Sequence, residues 1–241
     1  MVKALCIMRI SFHPAFILHQ RPYRETSLLL DVLTQDYGRI SLIARGVRTA
    51  RSPLRGLLQP FNPLLLSWQG RTELMTLTSA DLNLNGVPKQ LQGTSLLGGF
   101  YLNEVLTRVL QKQDPHPQLY TIYQHTLIEL QTAELQEKTL RVFEKKLLAE
   151  LGYGLQLDPQ NLDTNKFYRY LPEQGFVLCN ENEIDPQAMI FSGKSLLAIN
   201  EEQFNDDDIL RDAKRLMRLT LAPLLGSQPL HSRKLFMETK L

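Results

Sequence analysis

The stretch Asp36-Tyr37-Gly38-Arg39-Ile40-Ser41-Leu42-Ile43-Ala44-Arg45 decides the fold of the N-terminal part of this chain. Its first three residues form a hairpin signal, because Asp and Gly favour the tight turns that join antiparallel strands. The residues that follow alternate polar and apolar over the first half of the run, which is the period-two pattern of a half-buried strand. The stretch therefore predicts a turn followed by a strand that begins near Arg39.

Four more β-prone runs surround this strand. They lie at residues 15–20 and 26–33 before it, and at residues 64–68 and 74–78 after it. Turn signals separate the runs, with Gly70-Arg71 between the last two. About five short strands joined in this way are typical of a small antiparallel barrel.

Beyond residue 93 the apolar residues recur at the spacing of helices. Three stripes lie at residues 96–109, 119–130 and 140–151, and each predicts a helix with one apolar face. A fourth helix is predicted to begin after Asn205 or Asp206 and to run to Gly226, because Asp residues in its first turn oppose the positive end of the helix dipole.

The sequence thus predicts an α+β fold in two domains, a barrel of residues 1–85 and a helical domain of residues 86–241. Residues 155–200 are polar and weakly patterned, so we expect an irregular insert there. Within it, a short hairpin is predicted through residues 167–170 and 175–178.

The charge is distributed unevenly along the chain. Residues 1–80 carry ten Lys and Arg against four acidic residues, a net charge of +6, although the whole chain carries only +2. The remainder carries 17 basic and 21 acidic residues, a net charge of −4. Opposite signs in the two parts suggest different partners for each, and the basic part is the more informative.

Other features of the composition limit the class of protein. No uncharged apolar run reaches the length of a membrane-spanning helix, and Arg9 interrupts the short apolar stretch at the N-terminus that could suggest a signal peptide. Cys6 and Cys179 are the only cysteines, which fits a reducing cytoplasm and no disulfide framework.

Catalytic and cofactor signatures are incomplete. Gly193-Lys194-Ser195 resembles the end of a phosphate-binding loop, but the glycine required five residues before Gly193 is replaced by Ala188. Gly152-Tyr153-Gly154 lacks the third glycine of a dinucleotide loop. The five histidines are scattered and none stands at metal-ligand spacing. We therefore predict no catalytic residues, no metal and no cofactor, although a catalytic site built from distant residues is not excluded by this reasoning.

A basic segment without acidic residues runs from Gly38 to Thr72. Four of its arginines are spaced by three or four residues in a loop-like stretch, and the planar guanidinium fork matches phosphate oxygens. The predicted phosphate contacts are Arg39, Arg45, Arg48, Arg51 and Arg55, with Arg21, Arg24 and Arg71 as weaker candidates. The alternative is a solvated basic loop.

Aromatic residues interleave with these cations. Tyr37, Phe61 and Trp68 could stack on bases, because stacking combined with positive charge is how many proteins hold single strands. The alternative interpretation places Phe61 and Trp68 in the core of the barrel.

Several ordered motifs resemble the bacterial RecO family. The run from Phe16 to Asp31 (FILHQRPYRETSLLLD) closely resembles the opening of these proteins. The later landmarks, in the family's order and spanning roughly residues 14–237, are Ala44-Arg45-Gly46-Val47-Arg48, Leu58-Gln59-Pro60-Phe61, Tyr101-Leu102-Asn103-Glu104-Val105-Leu106, Leu151-Gly152-Tyr153-Gly154, Ala213-Lys214-Arg215 and Pro229-Leu230-His231-Ser232-Arg233-Lys234-Leu235-Phe236.

The resemblance implies an N-terminal five-stranded OB-fold β-barrel, followed by a helical domain. It implies binding to single- and double-stranded DNA, annealing of complementary strands, and a role with RecR in loading the RecA recombinase. It also implies binding to the acidic, phenylalanine-ended tail of the single-stranded DNA-binding protein. A cytoplasmic, nucleoid-associated protein that is a monomer alone is expected.

Two departures from the family pattern are notable. Many members carry four zinc-ligating cysteines after the position of Gly154, whereas here only Cys179 lies in that region, so the chain resembles the zinc-free branch. Residues 1–11 extend beyond the usual start, are a candidate disordered extension, and make Met8 a candidate initiator.

The helical part offers a candidate site for the acidic tail. Arg141 and Lys145 share a helix face beside an apolar stripe. Lys214, Arg215 and Arg218 form a second basic edge on the last helix. A basic rim beside an apolar surface suits an acidic peptide with a terminal phenylalanine, although solvated helix faces are the alternative for all but Arg141.

Three other functions compete with a recombination mediator. A plain nucleic-acid-binding module, acting for example on RNA, would bind structured RNA and anneal nothing. A protein-interaction scaffold would use the basic loop to dock acidic partners and would not bind DNA at moderate salt. An enzyme would turn over a nucleotide or nucleic acid.

Overall fold

The computed structural model describes residues 8–84, 90–132, 136–172, 174–179 and 189–232. Contacts between Cα atoms divide the chain into two compact units. The first comprises residues 1–133 together with 229–241, and the second comprises residues 134–228.

Five strands of the first unit close into a barrel. They are β1 (Met8–Tyr23), β2 (Ser27–Thr34), β3 (Arg39–Ala44), β4 (Leu64–Gly70) and β5 (Leu74–Leu82). Their order is β1-β2-β3-β5-β4, β1 also pairs with β4, and only the β3–β5 pair is parallel. A five-stranded barrel of this Greek-key kind is an OB-fold. The predicted α+β class is confirmed, and so is the predicted five-stranded N-terminal fold. The predicted strand at 64–68 is β4, which extends to Gly70.

Strand alternation explains the barrel core. Residues at every second position of each strand face inward, and Leu30, Val32, Leu42 and Leu66 are each completely buried. Trp68 is the largest buried side chain of this core and has no exposed surface. The residues between them face outward, and Arg9 and Arg21 are exposed arginines of this kind on β1.

Two long helices cover part of the outer face of the barrel. The helices of the first unit are α1 (Leu54–Leu57), α2 (Gly93–Val109) and α3 (Pro117–Thr132). Phe16 of β1 packs between Tyr120 and Tyr123 of α3, with ring centroids 5.4 and 5.2 Å apart. Asn103 of α2 donates to the Leu18 carbonyl at 2.9 Å and accepts the Tyr123 hydroxyl proton at 2.5 Å. One buried amide therefore fixes both helices to β1.

The second unit combines helices with a small sheet. Its elements are α4 (Gln136–Glu150), a 3-10 turn (Pro159–Asn161), β6 (Phe167–Leu171), β7 (Gly175–Leu178), β8 (Ile190–Ser192), α5 (Gly193–Asn200) and α6 (Asp207–Leu225). The sheet order is β7-β6-β8 and both pairs are antiparallel. Asp206 caps α6 by accepting from the Asp208 amide, and Gly226 ends the helix with a φ of 74°. The predicted last helix is confirmed.

The expectation of an irregular segment at residues 155–200 needs correction. The predicted hairpin is present as β6 and β7, but a third strand and the helix α5 follow it. Ser192 caps α5 by accepting from the Ser195 amide at 3.0 Å. The helix spans only eight residues, which is too short for a clear periodic signal. Gly193 is the first residue of α5. A Cβ at this position would clash with the carbonyl oxygen of Asp163, so a glycine here allows close packing.

Part of the N-terminal stretch expected to be a disordered extension belongs to the barrel. Residues 8–11 belong to β1, where Met8 pairs with Gly70 and Ile10 pairs with Trp68. Residues 1–7 lie outside the described residues. Among the helices that the structure describes, none is long and apolar enough to cross a membrane.

Candidate nucleic-acid interface

Three exposed arginines meet at one end of the barrel because three strand ends meet there. Arg21 lies near the end of β1, opposite Leu29 in the ladder. Arg24 lies in the turn that joins β1 to β2. Arg45 follows β3 directly, and the last residue of β3 pairs with Leu28 at the start of β2. The antiparallel register therefore brings together residues that are far apart in sequence.

The loop after β3 is ordered against the β1–β2 turn. The Arg48 amide donates to the Thr26 carbonyl at 2.9 Å, and the Arg48 guanidinium donates to the carbonyls of Arg24 (3.1 Å) and Glu25 (3.3 Å). Gly46 has a φ of 69°, and its carbonyl accepts the Thr49 hydroxyl at 2.8 Å. Arg48 therefore has a structural role as well as an exposed charge.

Arg55 joins the same end of the barrel through a chain of amides. Its carbonyl accepts from the Gln59 side chain at 2.9 Å, and Gln59 accepts from the side chain of Gln20 at 3.4 Å. Gln20 is the neighbour of Arg21 in β1. The exposed guanidinium groups at this end are called the arginine surface and are those of Arg21, Arg24, Arg45, Arg48, Arg51 and Arg55. No ion pair joins them to a carboxylate of the described residues.

The other two predicted arginines lie elsewhere. Arg39 begins β3, is largely buried, donates to the Leu110 carbonyl at 3.1 Å and lies 3.6 Å from Asp31. These contacts hold the end of α2 against the barrel. Arg71 is exposed in the β4–β5 turn, near the start of β1, because Gly70 pairs with Met8. The β1–β2 and β4–β5 loops flank the binding face of OB-folds, so Arg71 lies on the far side of that face.

An open strand face lies between these two loops. Leu29 of β2 pairs with Ile43 of β3, and Ile43 pairs with Thr76 of β5, so these three residues form one row across the strands. They alternate with core residues along their strands and therefore face outward. Leu74 of β5 is 39% exposed. The face combines half-exposed aliphatic side chains with hydroxyl groups, which suits contact with sugars and bases.

The structure separates the three aromatic residues that the sequence groups together. Trp68 is completely buried in the barrel core, so its expected stacking on bases is corrected in favour of the packing alternative. Tyr37 packs edge-on against Trp68, with centroids 5.5 Å apart. Phe61 is half-buried and packs edge-on against Phe100 at 5.2 Å. Phe100 was missed by the sequence analysis because its position in the helical stripe indicates packing.

Tyr23 was also missed as a candidate contact. The Arg24 guanidinium lies over the Tyr23 ring, 5.4 Å from its centroid. A cation above an aromatic face is a favourable contact in its own right. The signal was available in the sequence, since the two residues are adjacent.

Four of the five basic residues expected to bind an acidic tail have partners inside the second unit. Arg141 is buried and bonds the buried carboxylate of Glu144 at 2.7 Å. Lys145 donates to the Asn200 carbonyl at 2.6 Å and lies 3.3 Å from Glu202. The α4 pair is therefore integrated into the packing of this unit.

The basic residues of α6 differ in the partners that they contact. Lys214 pairs with Glu137 of α4. Arg215 bonds the Ile190 carbonyl, lies 3.3 Å from Asp212, and stacks over Phe191 at 4.3 Å. Arg218 is exposed. Over the described ranges, no group of three or more His, Cys, Asp or Glu residues is arranged to hold a metal ion.

An OB-fold with a cluster of exposed arginines beside its open strand face defines an oligonucleotide-binding barrel. Comparison with known proteins specifies the class further. The family model described as Recombination protein O N terminal matches residues 8–84, and the model described as Recombination protein O C terminal matches residues 90–234. This chain belongs to the RecO family of DNA repair proteins.

Similar proteins cover nearly the whole chain. A DNA repair protein RecO of Coxiella burnetii (strain RSA 331) is 49% identical over 232 residues, which are 94% of this chain and 98% of the relative. The Haemophilus influenzae (strain 86-028NP) protein of the same description is 43% identical over 236 residues, or 95% and 97%. The Mannheimia succiniciproducens protein is 42% identical over 231 residues, or 92% and 98%.

Proposed function

We propose that this chain is a non-enzymatic recombination mediator. It binds single- and double-stranded DNA, anneals complementary strands and, with RecR, helps to load RecA onto DNA coated by the single-stranded DNA-binding protein. The observation that carries the proposal is the arginine surface, six exposed guanidinium groups at one end of an OB-fold. Family membership supports the repair role, and the register of the strands supports the DNA-binding role.

The arginine surface suits a phosphate backbone better than a small anion. Its members lie at the end of β1, in the β1–β2 turn, in the loop after β3 and in α1, so the charges extend along one end of the barrel. Such a row matches successive phosphates, whose recognition carries no base identity. If about five phosphates are neutralised, the log–log salt slope for single strands is roughly −3.5.

Annealing follows from the same property. A cationic surface that holds backbones reduces the repulsion between two strands and leaves the choice of partner to base pairing. Annealing by this route requires no covalent chemistry, so the proposal includes no catalytic residue and no cofactor.

The acidic tail of the single-stranded DNA-binding protein is proposed to bind the basic edge of α4 and α6. Arg218 and Arg215 are its exposed cations and would meet the tail first. Arg141, Lys145 and Lys214 contribute only if tail carboxylates compete with Glu144, Glu202 and Glu137, their partners within the unit. Because Arg141 and Glu144 are both buried, that exchange is the most costly of the three.

The test is annealing of complementary oligonucleotides coated with single-stranded DNA-binding protein. The variant Arg45→Glu/Arg51→Glu/Arg55→Glu spares Arg48, whose guanidinium holds the β1–β2 turn. The control Lys146→Glu/Lys166→Glu/Lys194→Glu makes the same change in net charge at exposed positions of the second unit. Loss of annealing in the first variant alone supports the proposal. Equal annealing by both variants moves the DNA site, and absence of annealing by the unmodified protein refutes the mediator function.

A further inference from the structure

A pocket of about 370 Å³ opens beside the arginine surface. It lies entirely within the first unit, between the loop after α1 and the helices α2 and α3. Apolar, aromatic and amide side chains line it, and they include Gln59, Phe61, Asn62, Leu96, Phe100 and Gln131. It is called the Phe61 pocket.

The Phe61 ring is held in this pocket at a cost to the backbone and to α2. Phe61 has a φ of 69°, a left-handed conformation that is unusual for a bulky side chain and that concentrates at functional sites. The ring lies directly on Gly99 of α2, where a Cβ would meet two ring carbons at 2.8 and 3.0 Å. Glycine inside a helix is itself unfavourable. Two local preferences are therefore overridden to place one aromatic ring.

The result is an aromatic pair that remains accessible. Phe61 is half-buried, Phe100 is 38% exposed, and their ring centroids are 5.2 Å apart. An aromatic pair in a core would be covered, so this arrangement leaves ring surface for a ligand. The side-chain amides of Gln59, Asn62 and Gln131 lie around it, and each donates to a backbone carbonyl of its own unit. An amide nitrogen carries two N–H groups, so Gln59 and Asn62 each have a second N–H besides the one in that bond.

The pocket is continuous with the arginine surface through hydrogen bonds. Gln59 of the pocket donates to the carbonyl of Arg55 at 2.9 Å and accepts from Gln20, the neighbour of Arg21, at 3.4 Å. Gly56 of the pocket wall directly follows Arg55. A strand whose phosphates lie on the arginine surface therefore has this pocket within reach of its bases.

We propose that the Phe61 pocket receives an unpaired base of bound single-stranded DNA, stacked on the Phe61–Phe100 pair and surrounded by side-chain amides. The proposal rests on the DNA-binding function proposed above and adds a preference for unpaired strands. Aromatic stacking tolerates every base, so the pocket selects single strands over duplexes without reading sequence. The amide rim distinguishes a base, which has polar edges, from an aliphatic side chain of a protein partner.

The test compares the full chain with the variants Phe61→Leu and Phe100→Leu, which keep apolar volume but remove the aromatic faces. Phe12→Leu is the control, because Phe12 is 61% exposed, also has a positive φ, and lies toward the opposite end of β1. Binding is measured by fluorescence anisotropy with three probes: a single strand of roughly 12 nucleotides, an abasic strand of equal length, and a duplex. Circular dichroism confirms that each variant folds.

The unmodified protein is expected to bind the single strand about five- to tenfold more tightly than the abasic strand. Both pocket variants lose that preference, while Phe12→Leu keeps it, and the salt slope is unchanged in all three. Equal affinity of the unmodified protein for base-bearing and abasic strands overturns the pocket but leaves DNA binding intact, and then favours an apolar side chain of a protein as the occupant. Failure to bind any probe overturns both proposals.

Discussion

Glu104 of α2 binds Ser232 through one carboxylate oxygen, which accepts from both the backbone amide and the hydroxyl of Ser232 at 2.8 Å. The second oxygen accepts from the His231 amide at 2.9 Å and from Arg108 at 2.6 Å. Arg108 also donates to the Pro229 carbonyl at 2.9 Å. One carboxylate thus anchors the segment around Ser232 to α2, although the two are more than a hundred residues apart in sequence. Both belong to the first unit.

Replacing Glu104 with Gln is expected to lower the free energy of unfolding by about 1–3 kcal/mol, because several donors lose a charged acceptor. Burial alone would raise the pKa of Glu104, but the hydrogen bonds from Ser232 and His231, together with Arg108, bring it below its ordinary value of 4.5. A lowered pKa contributes stability above pH 4.5 that is lost as the pH falls through the folded-state pKa. Chemical denaturation across pH measures this, and Glu129→Gln, at an exposed position of α3, is the control. Equal stability of Glu104→Gln and the unmodified protein would contradict the anchor.

The Asn103–Tyr123 pair gives a second prediction on stability. Tyr123→Phe removes the hydroxyl that Asn103 accepts at 2.5 Å, and a loss of about 1–2 kcal/mol is expected near neutral pH. Burial raises the pKa of Tyr123 and, to a smaller degree, that of Tyr120, above the ordinary value of 10. The unfolded chain therefore releases these protons first, and stability falls as the pH rises above about 10.

Alkaline denaturation midpoints check this second prediction. Tyr123→Phe should be less stable than the unmodified protein at neutral pH but should lose less stability on going above pH 10. Tyr153→Phe is the matched control, since Tyr153 is 59% exposed. An identical alkaline slope for all three proteins would show that Tyr123 does not govern it.

His13 is expected to make the stability of the barrel sensitive to mild acid. Its ring packs edge-on against Tyr37 (4.8 Å) and Trp68 (5.8 Å), and it accepts from the Asp36 amide at 3.2 Å. Burial lowers the pKa of His13 below its ordinary value of 6.5, and nearby Asp36 only partly offsets the effect. The unfolded chain then binds a proton first, so stability should fall as the pH drops below 6.5 and stay constant above it. His13→Asn should flatten that dependence in thermal unfolding, whereas the exposed-site variant His125→Asn should not. A pH dependence retained in His13→Asn would assign it to another group.

The barrel was predictable because its signals are local. Strand alternation and turn residues suffice to predict five strands, and the same alternation places Leu64, Leu66 and Trp68 on one face of β4. That parity was a usable sign that Trp68 belongs to the core. The helix α5 was not predictable, since its eight residues span little more than two turns.

The candidate site depends on contacts that the sequence does not reveal. Arg39 begins β3 and Arg45 follows its last residue, and the two are an even number of positions apart, so strand alternation predicts the same environment for both. Only Arg39 donates to the Leu110 carbonyl, which is 71 residues away in sequence. The left-handed backbone of Phe61 depends on a helix glycine at position 99. Burial of Arg141 likewise follows from packing around α4, which its helical spacing does not indicate.

The different environments of Arg39 and Arg45 lead to the last prediction. Arg39→Ala should lower the free energy of unfolding by about 1.5–3 kcal/mol, because the Leu110 carbonyl and Asp31 lose a charged donor in a partly buried setting. It should leave the salt slope of DNA binding unchanged.

Arg45→Ala should do the opposite, because Arg45 is exposed and follows β3 without a role in holding α2. Its stability should change by no more than about 0.5 kcal/mol, and the log–log salt slope for single strands should fall in magnitude by about 0.7 for one lost phosphate contact. Denaturant titration and anisotropy at several salt concentrations give both quantities for each variant. If Arg39→Ala reduces the slope while Arg45→Ala does not, DNA crosses the barrel at the start of β3, and the arginine surface is not its binding site.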